Sequence, residues 1–398
     1  MTENWQDCFV ADIASSVKNA LVGGPFGSNL VSRDYVATGI PVIRGQNMGK
    51  RWINGDFVFV SNEKAKQLSP NTARPGDLIF TQRGTLGQVA IVSAQPHDVY
   101  IISQSQMKLT VNDEKVDSLF LYYVFKSPEQ QEQDYIIRNA IQTGVPHTNL
   151  EHLRTTPLFL PPLPEQRAIA GILGALDDKI ELNRRMNRTL ESMARAVFRQ
   201  WFVESEENDW EEKSLDEIAD FLNGLALQKF PAGEGGNYLP VIKITQLRKN
   251  DTKDADKASP NIPAEYIIED SDVLFSWSGS LEVVVWCGGK GALNQHLFKV
   301  TSKQYPKWFY YYWTKYHLPD FQEIAAGKAT TMGHIQRHHL RDAKVLVPSD
   351  KELQEMGKIM SPILEKIISN EKESRTLASL RDTLLPKLMR GEVRVRGT

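Results

Sequence analysis

The sequence predicts a mixed α/β (α+β) chain built as an internal repeat: two similar domains, each followed by a long helix, with the two helices pairing as an antiparallel coiled coil about a pseudo-two-fold axis. Three observations predict it. The same motifs occur twice in the same order. Pro41-Val42-Ile43-Arg44, Gly76-Asp77-Leu78-Ile79-Phe80, His147, Leu153-Arg154, Pro161 and Arg188-Thr189-Leu190-Glu191-Ser192 are answered by Pro240-Val241-Ile242-Lys243, Ser271-Asp272-Val273-Leu274-Phe275, His334, Leu340-Arg341, Pro348 and Arg375-Thr376-Leu377-Ala378-Ser379. From His147 to His334 and from Arg188 to Arg375 the offset is the same 187 residues. Each half also closes on a seven-residue apolar beat.

A repeat unit this long is a domain plus a connector rather than a solenoid module. A pseudo-dimer with diverged halves suits a target made of two different half-sites at fixed separation, as duplex DNA offers. Length agrees: 398 residues exceed one ordinary core. Hydrophobic residues at 41% and charged residues at 24% describe a globular chain. Two cysteines, Cys8 and Cys287, exclude a disulfide framework, and no signal peptide or apolar span is read, so a cytoplasmic protein without membrane association is expected. A net charge of −2 excludes a general polyanion binder and leaves local patches, or an electrostatic contribution from partner subunits.

The elements follow in order. Short β-type runs at 40–43, 77–81, 88–92 and 106–111 lie between Gly, Pro and Asn, and helices are expected around 119–127 and 130–140. Pro157, Pro161, Pro162 and Pro164 close the domain and enforce extended chain before Glu165 starts a helix. Trp210 answers Trp5 beyond the acidic linker 204–209. The expected division is a first domain at 1–160, a central helix at 161–204, a second domain at 205–347 and a C-terminal helix at 348–391.

In the first helix the seam runs through Ile169, Leu176, Asn183, Leu190 and Val197 on one line and Leu173, Ile180, Asn187, Ala194 and Trp201 on the other. A helix over 165–203 would be about 58 Å long at roughly 1.5 Å per residue, an arm rather than a core element. The second seam runs through Met356, Ile363, Ile367, Asn370, Leu377 and Leu384, with Gly357, Pro362 and Pro386 expected to fray or kink it. Asn370 falls opposite Asn183 in the repeat. Two readings stay open: a register device, or a partly wet seam that fixes nothing.

Two α/β units, each followed by a long heptad helix, resemble the specificity subunit of type I restriction-modification enzymes. The resemblance spans nearly the whole chain. Its most specific elements are Gly76-Asp77-Leu78-Ile79-Phe80-Thr81-Gln82-Arg83-Gly84, Thr143-Gly144-Val145-Pro146-His147 and the Leu-Pro-Pro-Leu-Pro-Glu-Gln segment from Leu160 to Gln166. The second half departs from it at Ala329-Thr330-Thr331-Met332-Gly333 and at Ser349-Asp350-Lys351-Glu352-Leu353. The resemblance implies two target-recognition domains, each reading one half of an asymmetric bipartite site in double-stranded DNA. It also implies two adenine-N6 methyltransferase subunits and two ATP-dependent translocase/endonuclease subunits as partners. Readers on successive turns of a duplex lie about 34 Å apart, which a paired arm of this length can span. One inserted heptad adds about 10 Å, close to three base pairs.

Base reading needs forked donors and acceptors. Matching polar loops supply Arg44, Gln46, Asn47, Gln82, Arg83, Thr85, Gln104, Thr143, His147 and Thr148 in the first half. The second half supplies Lys243, Thr245, Gln246, Trp277, Ser278, Gln295, Lys328, Thr330, Thr331 and His334. Taken singly, each is also what a solvated loop carries, and it is as groups that they point to recognition. The two histidines are read as phosphate contacts or structural hydrogen bonds, leaning to the latter. Trp277 is read as a base stack or, in the commoner role, a partly buried core residue. Gly84, Gly144 and Gly279 would let backbone approach a phosphate.

Sites for chemistry are missing. No Gly-x4-Gly-Lys-Ser/Thr loop and no Asn/Asp-Pro-Pro-Tyr/Phe run occurs, so neither an ATPase nor a methyltransferase is expected, and no cofactor. His334, His338 and His339 with Cys287 lack metal-site spacing, and Asp177-Asp178 reads as a solvated helix face. Two alternatives accompany the leading reading: the recognition subunit of a type IIB-like restriction enzyme, and a non-DNA coiled-coil scaffold.

Overall fold

The apolar runs become short, buried strands. The computed structural model describes residues 4–127, 131–138, 140, 145–204, 209–233, 236–327 and 333–395. The chain divides into two compact units, 1–178 with 379–398, and 179–378. Each long helix is therefore shared between the two.

The first unit holds an antiparallel sheet ordered Leu21–Gly23, Gln106–Leu109, Leu78–Thr81, Val89–Ile91. Its second sheet is ordered Tyr35–Val36, Val58–Val60, Ile40–Ile43, Tyr100–Ile102, Thr72–Ala73, with Ile40–Ile43 parallel to Tyr100–Ile102. The second unit repeats the plan. An antiparallel sheet runs Asp220–Asn223, Leu297–Thr301, Val273–Ser276, Val283–Val285, and the other runs Lys257–Ala258, Leu239–Ile242, Gly291–Leu293, Ile267–Ile268. Here Leu239–Ile242 is parallel to Gly291–Leu293. Each unit is closed by its outermost strands, Gln6–Phe9 against Pro157–Leu160 and Glu211–Ser214 against Lys344–Val347.

One device explains the Gly/Ser-Asp-apolar motif in both halves. The Asp77 carboxylate accepts from Arg74 N at 2.8 Å, holding the turn before its strand, and lies 3.9 Å from Lys108 Nζ on the neighbouring strand. Asp272 accepts from Glu269 N at 2.8 Å and lies 2.8 Å from Lys299 Nζ. Both lysines also donate to a strand-end carbonyl, Lys108 to Thr72 O and Lys299 to Ile267 O. Burial pushes the Asp77 carboxyl up and the Lys108 ammonium down.

The long helices are Leu163–Phe202 and Asp350–Met389, 40 residues each. Within the first unit Asp177 meets Arg381 at 2.7 Å and Glu165 meets Arg394 at 2.9 Å; within the second, Asn183 and Asn187 bond to Asn370 and Ile367. Rising numbers on one helix meet falling numbers on the other, so the pairing is antiparallel within each unit. The first helix starts on Gln166, 1% exposed, which accepts from Asp117 N and donates to Pro161 O and Lys115 O. The second lacks that glutamine and uses an exposed capping box in which Ser349 and Glu352 bond reciprocally.

The seam follows the heptad only in part. Ile169, Leu173, Ile180, Asn183 and Ala194 are buried, but Leu176, Leu190 and Val197 are half-buried, and Phe198 and Phe202 fill the last turns instead. A straight helix drifts about 20° per heptad from a strict 3.5 repeat, which carries burial one residue along. On the second helix Leu353, Met360, Leu364, Leu385 and Leu388 are buried, whereas Ile363, Ile367, Leu377 and Leu384 are half-buried. Pro362 and Pro386 sit inside a continuous helix. Each removes one intrahelical bond, and buried neighbours (Met360 and Leu364, Leu385 and Leu388) offset that loss. The seam asparagines are enclosed rather than wet: Asn183 and Asn370 are 0% exposed, Asn370 donates to Asn187 Oδ1 at 2.8 Å, and Asn187 donates to Glu371 at 2.7 Å. Among the described residues, no helix is long and apolar enough to cross a membrane.

Candidate nucleic-acid interface

The loop after the central strand is held identically in both units. In the first, Gln82 N donates to Ser105 O at 2.7 Å, Thr148 N to Gln82 O at 2.9 Å and Gly84 N to Pro146 O at 2.9 Å. In the second, Trp277 N donates to His296 O at 3.3 Å, Ile335 N to Trp277 O at 3.0 Å and Gly279 N to Gly333 O at 2.8 Å. Arg83 forms a bridge with His147, as Ser278 does with His334. Gly84 and Gly279 take φ of +101° and +69°, a conformation that glycine adopts without strain.

A second loop crosses this frame closely, and sequence reasoning missed it. A Cβ on Gly24 would lie 2.1 Å from Ser103 O, and one on Gly224 would lie 2.2 Å from Asn294 O. Only glycine fits, so the chain after the first strand of each antiparallel sheet is pressed onto the segment carrying Gln104 or Gln295. The signal was present in Val22-Gly23-Gly24-Pro25 and Asn223-Gly224, where a glycine follows each strand at the same place.

In the first unit these loops enclose a cleft of 290 Å³ lined by Pro25, Phe26, Gln82, Arg83, Gln104, His147 and Thr148, among others. Five of the residues singled out from sequence meet there. Gln104 Nε2 donates to Leu30 O at 2.6 Å and to Gly27 O, which fixes the front loop. His147 Nδ1 lies 3.1 Å from Val145 O, and Arg83 is exposed. Arg44, Gln46 and Asn47 do not line this cleft, and Thr85 lies exposed beside it.

The equivalent place in the second unit is aromatic. The Trp277 ring lies 5.8 Å from Phe298, 6.0 Å from His296 and 6.4 Å from His334, with Nε1 donating to Asn223 Oδ1 at 2.8 Å. Ser278 Oγ and Gln295 Nε2 contact the two ring nitrogens of His296, at 2.9 and 3.3 Å. His296, which the sequence did not single out, is thus the link among them. Lys243 is exposed and ion-paired with Asp256, and Thr245 is exposed.

Several of the expected readers are buried and have polar atoms bonded within the protein. Asn47 is 0% exposed; it accepts from Arg44 N at 3.0 Å and donates to Asn54 O and Asp56 O. Gln246 is 5% exposed and accepts from Lys243 N. Both cap the same turn in their respective units, Asn47 with both amide atoms bonded and Gln246 with its amide oxygen. Thr148 and Ser278 are each 3% exposed, with hydroxyls on His152 and His296. Thr143, Lys328, Thr330 and Thr331, like Gly144 and most of the acidic linker, lie outside the described residues. Among the described residues, no three His, Cys, Asp or Glu side chains are grouped to hold a metal.

A family model described as the type I restriction modification DNA specificity domain matches residues 3–192 and 207–378. The type I restriction enzyme MjaIX specificity subunit of Methanocaldococcus jannaschii is 24% identical, over 94% of this chain and 91% of its own length. The HindI specificity subunit of Haemophilus influenzae is 21% identical, over 92% and 97%. The crystal structure of a type I restriction-modification system S subunit from M. genitalium superposes with a TM-score of 0.64 at 18% identity, covering 97% of this chain and 96% of that one. That likeness is one of fold.

Proposed function

The chain belongs to the type I restriction-modification DNA specificity family, and we propose that it is the specificity subunit of such a complex, each α/β unit reading one half of an asymmetric, bipartite site in double-stranded DNA. The observation that carries this is the matched frame of backbone hydrogen bonds, which brings different side chains to the same loops: Gln82, Arg83, Gln104 and His147 in one unit, Trp277, Gln295 and His334 in the other. One scaffold bearing two chemistries is what an asymmetric site requires.

Residues 1–160 and 205–347 act as the recognition domains, and the helices in 161–204 and 348–391 set the spacer and receive two adenine-N6 methyltransferase subunits. Translocase/endonuclease subunits join for cleavage. The subunit contributes no catalysis of its own, in keeping with the missing nucleotide-binding and methyltransferase motifs. It works in the cytoplasm.

The test is methylome sequencing of cells carrying this chain with its cognate methyltransferase, with and without one heptad inserted in each long helix. The expected result is a bipartite methyladenine motif whose gap grows by about three base pairs. An unchanged gap removes the spacer role. A methylome independent of this chain removes the proposal.

A further inference from the structure

Phe26 is 90% exposed, more than any other large apolar side chain among the described residues. Single exposed apolar residues are ordinary on loose surfaces, but this one stands on a loop that is tied down. Gly24 is pressed against Ser103 O, Pro25 fixes its own backbone, Asn29 N donates to Phe26 O at 3.2 Å, and Gln104 bonds Gly27 O and Leu30 O. The ring is held out on a stiff support and lines the same cleft as Gln82, Arg83 and His147.

We propose that Phe26 is a stacking wedge, its ring inserting at one base step of the half-site read by the first unit. This rests on the reading of that unit as a DNA reader. A flat apolar ring held out among hydrogen-bonding side chains suits a target with an apolar face between polar edges, and a base step exposes that combination when it is partly unstacked. Among the described residues, the second unit has no matching device at the equivalent loop. The position two residues after Gly224 is Ala226, and the aromatic there, Trp277, has its N–H on Asn223 and its ring on Phe298. The wedge therefore acts on one half-site only.

The experiment uses the full chain with its methyltransferase subunits on duplexes carrying the methylated motif, with 2-aminopurine walked through both half-sites. Positions at the methylated adenine are left out, because methyltransferases extrude their target base. The half-site read by the first unit is the one whose motif relaxes with Arg83→Ala. Fluorescence is expected to rise at one step of that half-site, to stay low throughout the other, to be lost with Phe26→Ala and to be kept with Phe26→Trp. Phe26→Ala is also expected to weaken DNA binding roughly 5- to 150-fold, the range of one base–aromatic stack, with the protein's melting temperature unchanged. No rise in the wild-type complex, or a rise and affinity that survive Phe26→Ala, overturns the wedge while Arg83→Ala still relaxes the motif. If neither variant alters the motif or the binding, the first unit's role in reading DNA is what fails.

Discussion

Asp77 and Lys108 in the first unit have side chains 5% and 8% exposed; Asp272 and Lys299, at the same place in the second, are 22% and 17% exposed. The turn before the first pair carries Gly76 at φ +90°, and the turn before the second carries Ser271 at +81°. Geometry has been kept where chemistry has drifted. The same holds at the loops proposed to read DNA, with a polar cleft in one unit and an aromatic cluster in the other. The repeat specifies a backbone, and each half is free to change its side chains wherever that backbone is already secured by hydrogen bonds.

The largest expected difference lies in those ion pairs. Lys108→Met leaves a buried carboxylate without its cation and is expected to cost about 3–5 kcal/mol of the first unit's stability. Lys299→Met, with Asp272 partly hydrated, is expected to cost about 1 kcal/mol. Denaturant titration followed by hydrogen exchange in each unit separates the two. Burial already holds the Asp77 carboxyl above its ordinary value, so the folded first unit binds that proton more readily than the unfolded chain. The deficit of Lys108→Met should accordingly shrink as pH falls toward that raised value. Equal losses in the two units would break the comparison.

The helix starts differ next. Gln166→Ala leaves Pro161 O, in a buried place, and Asp117 N and Lys115 O, in partly buried ones, without their Gln166 partner, an expected loss of about 2–3 kcal/mol. Ser349→Ala removes an exposed cap and should cost about 1 kcal/mol. A reversed order in thermal melts would show that the two starts are not equivalent in the way their positions suggest.

These contrasts mark what could be read in the sequence. The strand Ile40–Ile43 and the long helix were legible because apolar runs, prolines and the seven-residue beat are local signals. Asn47 and Gln246 were not legible as caps. A polar residue in a loop looks the same whether its amide faces water or is used by its own turn, and only strands distant in sequence bury it. Phe26 was passed over for the converse reason: an apolar residue is taken for core unless the fold shows it outside. His296 carried no signal, since its role depends on Ser278 and Trp277 arriving beside it.

Reading of bases gives a contrast of similar size. Arg83 is exposed at the first cleft, whereas its counterpart Ser278 is buried and bonded to His296. Arg83→Ala is expected to lose about 1–3 kcal/mol of discrimination and to relax one position in one half of the methylated motif. Ser278→Ala should leave the motif of the other half unchanged and lower stability instead. Methylome sequencing of both variants checks this, and a relaxed motif from Ser278→Ala would mean that the second unit reads through its buried layer.

The smallest expected effect is on the acid side and runs opposite to that of Asp77. The Arg375 guanidinium, 2.6 Å from Asp270, holds that carboxyl below its ordinary value. A depressed carboxyl contributes stability above its unfolded value and loses it as pH falls through the folded one, so this pair favours the second unit from near neutrality down to mildly acidic pH. Arg375 is 38% exposed, and solvent screening keeps the expected contribution below about 1 kcal/mol. Arg375→Gln should lower the second unit's stability near neutral pH and flatten its fall below about pH 4, whereas Asp77→Asn should flatten a rise in the first unit's stability as pH falls toward about 4 from above. Hydrogen exchange at graded pH measures both slopes. Slopes of the same sign would mean that the two acidic turns, alike in backbone, are not opposed in their electrostatics.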